Sequence, residues 1–153
     1  MRWRWWIGMG VGLALGMSTV TAASSRVIKV LPHWIDAQGR VALSPSLFER
    51  DAYQAKLRQE PALQRGMRFD VQWKAGDARG ADLTLRLELV TPGTSRTQPL
   101  VLEQPVRAKS GRSRWTQVLL QGQAYREAGE IIAWRASLWK GTRLLAEQRS
   151  FLW

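Results

Sequence analysis

One histidine, His33, and no cysteine set narrow limits on the chemistry open to this chain. Without a thiol there is no disulfide, no thiolate metal site and no cysteine nucleophile. Acid–base work by His33 would need a carboxylate held against its ring. Asp36 is near in sequence, but three residues apart on an extended chain the two side chains point to opposite faces. No GxSxG elbow, HExxH motif or phosphate-gripping glycine loop occurs. The 12 acidic residues are spread along the chain. Asp77 and Asp82, flanking a turn, give only a faint hint of a calcium loop. The expectation is therefore a protein without catalytic residues, metal or cofactor.

The densest local anomaly is residues 107–114, RAKSGRSR, where Arg107, Lys109, Arg112 and Arg114 stand with no acid among them. Ser110, Gly111 and Ser113 let such a backbone bend and offer hydroxyls and amides to an anion. Arginine forks suit phosphate or carboxylate. These four residues form an anion-binding candidate, with a solvated loop between two strands as the plainer alternative. Trp115 follows directly, placed to stack on a sugar or base or to pack in the core.

The whole chain carries 23 Lys and Arg against 12 Asp and Glu, a net charge of +11. A field of that sign favours anionic partners such as envelope polymer or lipid head groups. The arginines are also scattered singly over most segments, as solubility alone would leave them. Nucleic acid is not expected as a partner.

Nine tryptophans are a high number for this length. Trp73, Trp115, Trp134 and Trp139 fall in segments with strand character, where packing in a core is the first expectation for each. Trp134 and Trp139 differ in parity along one strand, so one of them faces outward. Trp134, Arg135 and Trp139 are the partner-binding candidate, because exposed aromatics concentrate at contacts.

The first 23 residues read as a secretory leader. Arg2 and Arg4 sit in a tryptophan-rich head, residues 7–20 carry no charge, and Thr21, Ala22, Ala23 and Ser24 are small. Four glycines weaken the apolar run as a permanent membrane helix, and it is short for a span of roughly 20 residues. Cleavage near Ala23 is expected, leaving residues 24–153 as one exported domain in the periplasm or outside the cell, with a net charge of +9. Membrane attachment would come only from an uncleaved leader, anchored by Trp3, Trp5 and Trp6.

The elements that must position these residues are mostly strands. Residues 26–34 are β-branched and apolar, with a break expected at Pro32. Residues 36–39 read as a turn, and 40–43 as a short strand. Ser46 with Glu49 matches a capping box, so a helix is predicted over 47–59, ending before Pro61. Its apolar stripe (Phe48, Ala52, Ala55, Leu57) is thin, so it should lie across an edge or end of a sheet. Met67, Phe69, Val71 and Trp73 then alternate with polar residues, as do Leu83, Leu85, Leu87 and Leu89. Residues 100–103, between Pro99 and Pro105, have the placement of an edge strand. Residues 115–120 form another strand, 121–129 a corner containing Tyr125, and 130–153 a long hairpin turning at Lys140 and Gly141.

This pattern predicts an all-β fold: an antiparallel sandwich of six or seven strands with one short helix near residues 46–59. From Gly66 to Trp153 the order resembles the last strands of an immunoglobulin-like or fibronectin type III domain. A strand with Val118 and Leu120 leads through Gly122 to Tyr125, and a hairpin closes the chain. The resemblance implies a structural corner in which the Tyr125 hydroxyl bonds back to nearby backbone. The cysteine pair of antibody domains is absent, and residues 128–130 separate Tyr125 from Ile131 and Ile132. Fold alone does not fix function.

The functional expectation is an exported, non-catalytic domain that binds a protein partner, by strand addition at the proline-flanked edge or through exposed tryptophans. One alternative is an adaptor for anionic envelope polymer or lipid head groups, using the basic loop. A second is a small outer-membrane β-barrel, suggested by the terminal Phe151-Leu152-Trp153. Several strands are too short for that, and Asp70, Arg86 and Glu88 oppose the apolar faces.

Overall fold

The computed structural model describes residues 24–108 and 112–153. Seven antiparallel strands make two sheets. They are β1 (Arg26–Ile35), β2 (Gly66–Lys74), β3 (Asp82–Val90), β4 (Leu100–Arg107), β5 (Arg114–Gln121), β6 (Ala133–Lys140) and β7 (Arg143–Arg149). One sheet has the order β1-β2-β5 and the other β4-β3-β6-β7. The chain therefore changes sheet after β2, after β4 and after β5. The two sheets keep free ends, so the described strands make a sandwich and not a closed barrel.

The period of two fixes which residues meet between the sheets. Phe69, Val71 and Trp73 face Leu83, Leu85, Leu87 and Leu89, joined by Val118, Leu120, Ala136 and Leu138, all buried in one core. Burying such side chains is the main favourable term in folding, worth roughly 1.5–3 kcal/mol for each large one. Leucine forms strands poorly by itself, yet here strict alternation outweighs propensity. Among the described residues no helix is long and apolar enough to cross a membrane.

Pro32 does not interrupt β1, contrary to the sequence reading. It pairs opposite Phe69 in an end strand. Trp34, two residues on, turns its backbone N–H and C=O away from β2 toward Gln54. By alternation the Pro32 nitrogen faces the same outer side, so the ladder loses no donor. Residues 40–43 form no strand. Asp36 folds that segment into a turn by accepting the N–H groups of Gln38 and Arg40.

Helix α1 (Leu47–Gln59) has the predicted bounds, and Ser46 accepts the Glu49 N–H at its start. Its docking face is not the predicted one. Phe48, Ala52 and Ala55 are exposed, and the buried residues are Gln54 and Leu57. The physical reason is what the helix meets. It lies beside the open edge of β1, where backbone groups need hydrogen bonds, so an amide serves better than an apolar stripe. A second helix, α2 (Gly122–Ala128), occupies the corner expected around Tyr125. The closing hairpin turns at Gly141, whose φ of 57° suits glycine. β7 ends at Arg149, so residues 150–153 do not continue the strand as expected.

Candidate functional site

The site builds up from β5. Leu120 and Val118 point into the core, so Trp115, Gln117 and Leu119 must face outward on the same strand. Trp115 is 51% exposed and Leu119 46% exposed. Core packing of Trp115, the first expectation from composition, is thus corrected by strand parity. Trp73 does lie in the core, and its indole N–H donates to Thr116 Oγ1 at 2.8 Å.

β5 ends its sheet, and β4 ends the other sheet on the same side of the sandwich. A groove of about 410 Å³ on the outer face and one of about 540 Å³ along the open side meet at Trp115. The open-side groove takes in Arg107, Arg114 and Trp115, with Gln104, Pro105 and Val106 opposite. Of the predicted anion-binding residues, Arg107 and Arg114 are thereby brought together. Arg114 Nη1 donates to the Arg107 carbonyl at 3.4 Å. Arg107 Nε donates to the Gly80 carbonyl at 3.0 Å and stands 3.6 Å from Asp82. Arg112 is exposed and does not line that groove, and Lys109 lies outside the described residues. Trp115, which the sequence allowed either to stack outward or to pack inward, takes the outward position. Its signal was available in the inward parity of Val118 and Leu120.

The other predicted cluster separates. Trp134 packs against the core, while Arg135 and Trp139 lie on the outer face of the four-stranded sheet. Those two are engaged with their own neighbours. Arg135 makes a two-pronged bond to Glu88 at 2.7 and 2.9 Å and lies over the Trp153 ring at 4.9 Å. Arg86 covers the Trp139 ring at 4.8 Å and bonds Glu103 at 2.7 Å. A guanidinium already forked onto a carboxylate offers little to a partner.

His33 has a carboxylate after all, though not Asp36. Its Nδ1 lies 3.3 Å from Asp70 Oδ2, without hydrogen-bond geometry, and Arg68 Nη2 donates to the same oxygen at 2.9 Å. Burial pushes the Asp70 carboxyl up, but the contacts from His33 and Arg68 outweigh it and hold it below its ordinary value. The register makes this pair: His33 sits opposite Arg68, and Asp70 is the diagonal neighbour. The surrounding groove is lined by Leu31, Arg50, Trp115 and Gln117, none of which is a nucleophile. Among the described residues no three His, Asp or Glu side chains gather to hold a metal.

The Tyr125 corner differs from what the resemblance implies. Its hydroxyl donates to the Gln64 side chain at 2.8 Å, not to nearby backbone, and Gln64 donates in turn to the Leu57 carbonyl. The phenol thus ties α2 to the end of α1 across a cleft of about 740 Å³. No family model, curated protein or solved structure matches this chain.

Proposed function

We propose that this chain is an exported immunoglobulin-like domain that binds a protein partner by accepting an extended segment along β5. The strand order β1-β2-β5 over β4-β3-β6-β7 supports the immunoglobulin-like reading. The observation that carries the function is the difference between β5 and the other three sheet ends.

Exposed strand edges invite pairing, and proteins blunt them with prolines, charges or cover. β1 carries Pro32 and is covered at Trp34 by Gln54. β4 carries Pro105, Glu103 and Arg107. β7 carries Arg143, Glu147 and Arg149, and lies against β1. β5 is the least protected of the four: it holds no proline, its one charge is Arg114 at its first position, and it touches β4 less than β7 touches β1. An edge left open, with Trp115 and Leu119 exposed on it, has the makings of an acceptor for β-strand addition. The acceptor edge differs from the proline-flanked β4 of the sequence reading, because Pro105 removes a donor that an added strand would need.

Placing a photo-crosslinking amino acid at Gln117, and separately at Glu147 as a control edge, tests this in cells that make the protein with its leader. A discrete protein adduct from position 117, absent from 147, is the expected result. No adduct at 117, or the same adducts at both positions, would overturn the reading.

A further inference from the structure

We infer that the segment received along β5 is acidic, with carboxylates on the alternate residues that face the groove and apolar side chains on those that face outward; this rests on the reading of β5 as the acceptor edge. A strand laid beyond β5 sends successive side chains to opposite faces. One set enters the open-side groove, where Arg107 and Arg114 wait with Gln104 and Val106. The other set lies beside Trp115, Gln117 and Leu119 on the outer face.

The charge in that groove is poorly matched from within. Among the described residues Arg107 bonds the Gly80 carbonyl and has one carboxylate near it, the highly exposed Asp82 at 3.6 Å, while Arg114 bonds a carbonyl. Both guanidiniums keep N–H groups for a carboxylate, whose fork they suit. A second copy of this chain is a poor occupant. Its own open strand brings no carboxylate from Trp115 to Gln121, and like-charged copies repel. An anionic polysaccharide would meet the arginines but cannot pair in register with the β5 backbone. An acidic strand satisfies both features.

The test uses an eight-residue peptide alternating valine and glutamate, its valine–glutamine counterpart, and heparin. Each is titrated into the purified protein, with amide shifts of residues 115–121 as one readout and affinity as another. The acidic peptide is expected to shift those amides and to bind about tenfold tighter than the glutamine peptide, an advantage that vanishes in 0.5 M salt. Replacing Arg107 and Arg114 together by alanine should remove the same tenfold and leave the glutamine peptide unaffected. The salt comparison needs no variant, so a misfolded double mutant would not rescue the idea. Equal affinities with shifts on β5 would overturn the acidic preference and leave the acceptor edge standing. No β5 shift with either peptide would overturn the edge itself. Heparin binding tighter than the acidic peptide without moving the β5 amides would assign the arginines to a polymer instead.

Discussion

The Gln54 side chain treats Trp34 as a neighbouring strand would. Its Oε1 accepts the Trp34 N–H at 2.9 Å and its Nε2 donates to the Trp34 carbonyl at 2.9 Å. The same Nε2 donates to the Val41 carbonyl, also at 2.9 Å. One buried amide thus closes the outer edge of β1 and fixes the segment that leads into α1. Replacing Gln54 by leucine keeps the bulk and removes all three bonds. Leaving part-buried backbone groups unmet costs roughly 1–3 kcal/mol, so Gln54→Leu should destabilise by about 2 kcal/mol in urea titration. It should also make the protein prone to self-association, because β1 becomes a second open edge. A variant as stable and as monomeric as the parent would contradict the role.

Asp36 governs the acid limit of the fold. Burial pushes its carboxyl up. That is outweighed by the Arg40 N–H, the Tyr53 hydroxyl, the Arg40 side chain and the Gln38 N–H, which leave it at about 2. The Tyr53 bond is 2.7 Å long and the Arg40 Nε bond 2.8 Å, so the carboxylate pins the turn to α1. A group whose folded pKa is depressed stabilises fully above its unfolded value. Here that contribution fades as pH falls below about 4 and is gone below about 2. With the solvent side of the cluster screening it, the amount is on the order of 1 kcal/mol. Asp36→Asn should lower stability at pH 7 and flatten the acid limb between those values, as measured by chemical denaturation at each pH.

Gly66 sets how closely β2 and β5 approach. A Cβ at this position would sit 2.6 Å from the Leu120 carbonyl oxygen and 3.0 Å from the Gln121 Cβ. Both neighbours belong to the start of the ladder that holds β5, so neither yields without moving the strand. Gly66→Ala should cost about 1–3 kcal/mol, as overpacking does. Amide shifts should change along β5 and remain unchanged in β7. A thermal unfolding midpoint equal to the parent would show that the strand can give way.

Strand placement was legible because alternation is a local property. Met67, Phe69, Val71 and Trp73 announced a half-buried strand, and the four leucines of β3 did the same. The edge status of β4 followed from its prolines. Helix α1 had its bounds written in Ser46, Glu49 and Pro61, but not its docking face. An apolar stripe is a signal for a helix that meets a sheet face, and α1 meets a strand edge through Gln54 and Tyr53. The site was harder to see. Arg107, Arg114 and Trp115 are near in sequence, so their grouping could be suspected, but the groove needs β4 and β5 to end two different sheets side by side. Pairing of His33 with Asp70 depends on the β1–β2 register, which no local pattern encodes. Trp134, Arg135 and Trp139 do not share one face, because Trp134 turns to the core, while cross-strand Glu88 and Trp153 engage Arg135.

Residue-resolved amide exchange of the dilute protein tests the central claim most directly. In an end strand only alternate amides bond the neighbour, and the others meet solvent. Along β5 the amides not bonded to β2 should exchange as freely as loop amides, while the Trp34 amide, held by Gln54, is protected. Uniform protection of every amide from Trp115 to Gln121 at low protein concentration would mean that β5 is already covered, and the acceptor edge would not exist.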